Sequence, residues 1–248
     1  MNRLQNKTAV ITGGSSGIGF ETARQFLAEG AKVIIIGRNK DELDNAVGEL
    51  GEGAYAVEAD VSKVDAIKAM RGKIEKIFPS LDILFVNAGI AKFAAIEDVT
   101  EEWFDNQFNT NFKGAYFTIQ QLLPLFKGSG SIILNASLNA HIGRPTASIY
   151  GATKGALLTL AKNLSAELMP RKIRVNAVSA GPVDTPLHHK KGLTPDQQVQ
   201  DHENFKTIIP IGRMGDPSEI AKAVLFFASD DAPFIVGAEI LADGGMSL

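Results

Sequence analysis

The stretch Thr8-Ala9-Val10-Ile11-Thr12-Gly13-Gly14-Ser15-Ser16-Gly17-Ile18-Gly19 decides the fold. Its first five residues form a short apolar and β-branched run, the composition of a buried strand. Glycines break that run, and from Ile18 to Glu29 apolar residues return at helical spacing. In such a strand-turn-helix unit, small residues allow the tight turn and the close approach of a ligand to the backbone. Unpaired amides at the helix start face that ligand and favour an anion such as a pyrophosphate. The spacing is G-x-x-x-G-x-G, which departs from the G-x-G-x-x-G fingerprint, so the turn alone leaves a purely structural role open.

Outward from this unit the alternation continues. Short apolar runs at Val33 to Ile36, Ala54 to Glu58, Ile83 to Asn87, Ser131 to Asn135, Arg174 to Val178 and Glu239 to Ala242 bring the expected strands to seven. Between them, Lys40 to Leu50, Val64 to Phe78, Glu101 to Leu125, Ser148 to Met169 and Pro217 to Ala228 carry helical periodicity. Strand and helix in strict alternation predict an α/β fold with a doubly wound parallel sheet and helices on both faces. No repeat, low-complexity segment or linker divides the 248 residues, so a single domain over 1–248 is expected. The polar segment from Leu187 to Pro210, with His188, His189, Lys190 and Lys191, breaks the rhythm. It is expected to overhang the carboxyl ends of the strands as a substrate lid, with a solvated surface loop as the alternative.

Composition removes several function classes. Apolar residues at 45% and charged residues at 21% are those of an ordinary globular protein with material for a large buried sheet. A formal net charge of -3 offers no basic field for a nucleic acid. There is no cysteine, which excludes a disulfide, a thiolate metal site and a cysteine nucleophile. His188-His189 and His202-Glu203 do not match His-Glu-x-x-His, and no metal is expected. Met1 to Lys7 lacks the apolar stretch of a signal peptide and no apolar run is long enough to span a bilayer; the expectation is a cytoplasmic protein without membrane association.

Chemistry enters with Tyr150-Gly-Ala-Thr-Lys154, near the start of an expected helix, and Ser137 at the end of an expected strand. Residues at i and i+4 lie on one helix face, so the phenol of Tyr150 and the ammonium of Lys154 can point into one cleft. A phenol of ordinary pKa, about 10, is a poor base at neutral pH, and a neighbouring cation is expected to lower it toward the working range. Tyr150 then becomes a group that passes protons.

In these residues and their order the chain resembles the short-chain dehydrogenase/reductase family from roughly Leu4 to its end. The turn Gly13, Ser15, Ser16, Gly17, Ile18 and Gly19 resembles the family's coenzyme turn, and Asp60-Val61 its adenine contact. Asn87-Ala88-Gly89 resembles the Asn-Asn-Ala-Gly motif, with Val86 in place of the first asparagine. Asn111 matches the helix asparagine, while Ser137, Tyr150 and Lys154 match the catalytic three. Pro182, Val183 and Thr185 resemble the segment that holds the nicotinamide amide, with Ala180 where proline is common. The resemblance implies a Rossmann-type domain that moves a hydride between a nicotinamide and a carbonyl carbon while Tyr150 gives or takes the proton. It further implies that Ser137 binds the carbonyl oxygen, Lys154 the coenzyme ribose, and Asn111 a water joining Lys154 to solvent.

The end of the second strand sets the coenzyme expectation. An enzyme selecting NAD places an acid there for the adenosine 2′-hydroxyl; here the position is Gly37, followed by Arg38, whose guanidinium suits a 2′-phosphate. NADP(H) is therefore favoured, with NAD(H) open. Leu138, Ala140, Ile142, Pro145, Ile149, Leu187 and Phe205 lack a charge cluster, which favours a small apolar carbonyl or alcohol substrate. The aromatic segment Trp103, Phe104, Phe108, Phe112, Tyr116 and Phe117 is expected between helices or between subunits, and a homotetramer is what the resemblance implies. Two other readings stay open: a 3-oxoacyl-carrier-protein reductase, whose acidic carrier would need Lys190, Lys191 and Arg213, and a non-catalytic dinucleotide-sensing regulator.

Overall fold

The computed structural model describes residues 2–186 and 203–248. Seven strands, β1 (Thr8–Thr12), β2 (Lys32–Gly37), β3 (Ala54–Glu58), β4 (Ile83–Val86), β5 (Gly130–Ser137), β6 (Ile173–Ala180) and β7 (Glu239–Ala242), form one sheet. Their order is β3-β2-β1-β4-β5-β6-β7, and every pair is parallel. The chain winds outward from β1 in one direction to β3 and then, from β4, in the other. That reversal opens a crevice at the carboxyl ends of β1 and β4, where ligands bind in sheets of this kind.

Alternate residues of each strand serve opposite faces. Val10, Ile34, Ile36, Leu84, Ile132 and Leu134 bury against α3 (Val64–Ile77), α5 (Gly114–Leu122) and α6 (Ser148–Leu168). Ala9, Ile11, Val33, Ile35, Phe85 and Ile133 bury against α1 (Gly17–Ala28), α2 (Lys40–Leu50) and α7 (Pro217–Ala228). Burial on both faces is why the central strands read as continuous apolar runs rather than as alternating ones. Local signals start the helices: Asn39 accepts from the amides of Asp41 and Glu42 at the head of α2, and Asp216 and Glu219 cap α7 reciprocally behind Pro217.

One expected element is divided. Glu101 to Leu125 reads as a single helix, but the structure breaks it into α4 (Glu101–Phe108), a π-turn over Asn109–Lys113, α5, and a 3-10 turn over Leu123–Leu125. The break has two causes in distant parts of the chain. A Cβ at Gly114 would sit 2.4 Å from the Val61 carbonyl oxygen, so the helix passes against backbone there. Asn111, three residues earlier, turns inward to bond Ile90 and Thr153. A π-turn reconciles these demands, as such turns do at functional positions.

The aromatic segment splits between two surroundings. Phe112 and Phe117 pack on the core, whereas Phe104, stacked on Phe108 at 4.5 Å, and Tyr116 keep about two-fifths of their surface exposed. Of the expected lid, 187–202 lie outside the described residues; 203–208 are helical, and Phe205, Ile209 and Met214 form a small cluster of their own. Among the described residues no helix is long and apolar enough to cross a membrane.

Candidate active site

A cleft of about 760 Å³ runs along the carboxyl edge of the sheet. It is lined by Gly13, Ser15, Ser16, Gly17, Ile18, Arg38, Asp60, Val61, Asn87, Ala88, Gly89, Ser137, Tyr150, Lys154, Pro182, Val183 and Thr185. Of the coenzyme-binding and catalytic residues expected from sequence, only Gly19 and Asn111 stand behind the wall. Both are buried and shape it from there.

The first end of the cleft is built from backbone. Gly13 and Gly17 have φ of 64° and 55°, conformations that disfavour a side chain. A Cβ on Gly19 would lie 2.1 Å from the Gly13 carbonyl oxygen, so glycine is what lets α1 start directly against the turn. The Asn87 side chain donates to the carbonyls of Thr12 and Gly13 at 3.0 and 2.9 Å, and Thr12 Oγ1 accepts the amides of Asn87 and Ala88. These bonds fix the turn to the end of β4. Such a cradle of glycine backbone ahead of a helix start fits the pyrophosphate of a dinucleotide.

At the rim beside β2, Gly37 leaves room where an acid would otherwise stand; a Cβ there would press on Leu43 at 3.2 Å. Arg38 follows on the surface of the cleft. Asp60 faces it: burial disfavours its charge, but the Ser62 hydroxyl and amide, at 2.7 and 3.0 Å, and the positive field of Arg38 hold its carboxyl below the usual range.

The other end holds Ser137, Tyr150 and Lys154. Ser137 Oγ, at the tip of β5, accepts from the amide and the side chain of Asn139 at 3.2 and 3.3 Å, which leaves its own O–H to be given. Its partner is the Tyr150 phenol. Lys154, one turn further along α6, lies 5.7 Å from the Tyr150 ring centre and donates to the Asn135 carbonyl at 2.7 Å. Gly89 lies beside both Lys154 and Asn111: a Cβ there would press on Asn111 Oδ1 at 3.3 Å and only touch Lys154 Nζ at 3.6 Å.

The electrostatics differ from the expectation that Lys154 lowers the Tyr150 pKa. Burial dominates and pushes the phenol up, against the opposing pull of the Ser137 hydrogen bond and the Arg144 charge. Lys154 is itself pulled down to about 8 by burial. Two groups removed from water each favour their neutral forms, so the phenol of the free protein keeps its proton at neutral pH.

Asn111 also differs in detail. Its Oδ1 accepts the Ile90 amide at 2.8 Å, and its Nδ2 donates to the Ile90 carbonyl and to Thr153 Oγ1 at 2.9 and 3.1 Å. Both ends of the side chain are therefore engaged in tying the loop after β4 to the helix turn that carries Tyr150 and Lys154. The side chain is thus not free to hold the expected water.

Several residues of the site escaped the sequence reading. Asn135 lines the cleft and donates to Asn87 Oδ1 at 2.8 Å; its one sequence signal is a polar side chain closing the run Ile132-Ile133-Leu134. Phe93, Asn139 and Arg144 line the substrate end, and nothing local marks them out. Of the apolar residues expected there, Leu138, Ile142 and Phe205 line the cleft, Ala140, Pro145 and Ile149 do not, and Leu187 lies outside the described residues, as do His188, His189 and His202. Val86 is buried in the core, and the strand end is held by Asn135 and Asn87 instead.

Comparison with known proteins agrees with this geometry. A family model described as enoyl-(acyl carrier protein) reductase matches residues 13–247. Over essentially its full length the chain is 39% identical to oxidoreductase asL5 of Sarocladium schorii, covering 98% of that protein. It is 35% identical to the 3-oxoacyl-[acyl-carrier-protein] reductase FabG of Thermotoga maritima, over 98% of this chain and 99% of that one. A solved structure of the 3-ketoacyl-(acyl-carrier-protein) reductase from Brucella melitensis, complexed with NADH, superposes with a TM-score of 0.92 at 36% identity, covering 99% of this chain and all of the other.

Proposed function

The chain belongs to the short-chain dehydrogenase/reductase family and is an NAD(P)H-dependent oxidoreductase of carbonyl and alcohol groups, and within that chemistry we propose that it is an NADP(H)-preferring carbonyl reductase acting through Ser137, Tyr150 and Lys154. The observation that carries this reading is the meeting of a protonated, partly buried Tyr150 with Ser137 and Lys154 at one end of a cleft whose other end is the glycine cradle. When bound, the nicotinamide coenzyme supplies or receives the hydride at the carbonyl carbon.

The chain's own groups manage the oxygen. Ser137, held by Asn139, directs its O–H at the substrate oxygen and orients it. Tyr150 gives its proton to that oxygen in reduction and takes it back in oxidation. Lys154, buried and near its own titration point, passes the replacement proton, with a water on the Asn111 backbone as its route to solvent. The 2′-phosphate preference rests on Gly37 and Arg38: the residue that ends β2 is a glycine rather than an acid, and a guanidinium follows it. Leu138, Ile142, Phe93 and Phe205 form an apolar wall suited to a small substrate. The exposed face of Phe104 and Tyr116 suits contact with a second copy in a tetramer, and the protein is read as cytoplasmic.

A 3-oxoacyl-carrier-protein reductase is the second reading, favoured by the names of two of the relatives above. Against it, Arg213, one of three cations available for an acidic carrier, is held by both oxygens of Glu219 at 2.7 Å. Oxidation of NADPH and NADH, followed by absorbance, against ketones, aldehydes, acetoacetyl esters and sugars tests both. NADPH-linked turnover of free ketones supports the proposal; turnover confined to acetoacetyl esters selects the rival.

A further inference from the structure

The substrate end of the cleft holds a charge that the mechanism does not use. Arg144 lines the cleft from the loop between Ser137 and α6. Its guanidinium carbon lies 5.1 Å from the centre of the Phe93 ring, and Phe93 meets the Tyr150 ring edge-on at 5.6 Å. Guanidinium, phenyl ring and phenol thus stand in one layered series along the wall. A planar cation on an aromatic face is held in orientation while its N–H edge stays free for a ligand.

The loop is built to present it. The Ala94 amide donates to the Thr146 carbonyl at 3.0 Å, which joins the Phe93 loop to the Arg144 loop, and the Ala147 amide closes a turn on the Arg144 carbonyl at 3.2 Å. Within that turn Thr146 has φ of 66°. For a β-branched residue this is a strained conformation, kept only where surrounding contacts enforce it.

Among the described residues no carboxylate answers the charge. Among the described residues Arg144 forms no ion pair. The acids of the cleft wall, Glu42 and Asp60, are at the far end beside Arg38, while Lys154 at the near end is buried and bonded to Asn135. Among the described residues the substrate end therefore presents an exposed guanidinium without a counter-charge beside an apolar wall, a donor suited to a charge-assisted hydrogen bond.

We propose that the substrate bears a carboxylate at the end away from its reacting carbon, and that Arg144 receives this carboxylate and sets specificity for oxo acids or the matching hydroxy acids. The proposal rests on the carbonyl reductase reading of the cleft. It keeps the apolar body expected of the substrate and adds an anionic end to it.

The test compares kcat/KM for a series of straight-chain oxo acids, from acetoacetate to 5-oxohexanoate, with that for their methyl esters, which share the carbonyl and lack the charge. The native protein is expected to favour its best acid over the ester by about ten-fold or more. In Arg144→Gln that ratio should fall to about one, and Arg144→Lys should restore part of it. NADPH affinity, measured in parallel, verifies that the variants are folded. A native ratio near one overturns the proposal, and so does a ratio that survives in Arg144→Gln. The latter includes an equal loss on acid and ester, which would assign Arg144 to Tyr150 through its charge rather than to the substrate. Absence of turnover with every acid, ester and neutral ketone would instead fell the underlying reductase reading, and this proposal with it.

Discussion

The Asn135 side-chain amide donates to Asn87 Oδ1 over 2.8 Å, and this bond joins the two ends of the cleft. Asn87 holds the Thr12-Gly13 turn through its own amide, while the Asn135 backbone carbonyl receives the Lys154 ammonium. The coenzyme cradle and the proton-transfer group are thus parts of a single hydrogen-bonded frame across β1, β4 and β5.

Replacing Asn135 by alanine leaves Asn87 Oδ1 without its donor in a part-buried setting, a loss of up to about 1–3 kcal/mol. The expected result is a Tm lowered by about 2–10 °C together with weaker coenzyme binding. Thermal unfolding with and without coenzyme reads both; a variant with native Tm and native affinity would show that the frame does not depend on this bond.

Tyr150→Phe keeps the ring against Phe93 and removes the proton. Turnover should fall by about a hundred-fold or more while NADPH still binds, as titration of coenzyme fluorescence would show. Unchanged turnover would remove Tyr150 from the mechanism.

Arg38→Ala removes the cation offered to the 2′-phosphate. KM for NADPH should rise about ten-fold or more while KM for NADH changes little. Parallel changes in both values would mean that Arg38 supports the adenine end without reading the phosphate.

Lys154 gives a pH dependence of stability with a defined sign. Its folded pKa, about 8, lies below the ordinary 10.5, so between these values the unfolded chain binds the extra proton. Stability then rises with pH through that window, and the penalty of burying the ammonium is present in full only below about pH 8. Denaturant unfolding of the native protein and Lys154→Met at pH 7 and pH 10 should show the native protein gaining on the variant by an amount on the order of 1–3 kcal/mol. Parallel profiles would refute the depressed pKa.

Two glycines should answer alanine in opposite ways. Gly72, within α3, has nothing within 4 Å of its missing Cβ, and Gly72→Ala should stabilise by about 0.5–1 kcal/mol. At Gly19 the Cβ would strike the Gly13 carbonyl oxygen, and Gly19→Ala should lower both Tm and coenzyme affinity. Denaturant midpoints of the two variants check the contrast.

Much of the molecule is written in local pattern. Runs such as Val33 to Ile36 and the periodicity of Val64 to Phe78 mark elements because burying one face requires only a short-range spacing, and both elements form within two residues of the expected bounds. The glycine turn and the Tyr150-Lys154 pair are equally legible, since a positive φ or a shared helix face is a property of neighbours in sequence. The π-turn at Asn109–Lys113 was not legible: it depends on Val61, Ile90 and Thr153, up to some fifty residues away in either direction.

The sequence by itself determined the parallel sheet, the glycine turn and the placing of Tyr150 and Lys154 one helix turn apart. Only the tertiary structure decided their working state: that Asn135 ties Asn87 to Lys154, that Arg144 faces the substrate end, and that burial raises Tyr150 and lowers Lys154. The physical reason is one of range. Backbone preference and periodicity act between neighbours in sequence, whereas desolvation and hydrogen bonding depend on which distant segments exclude water from a group and offer it a partner.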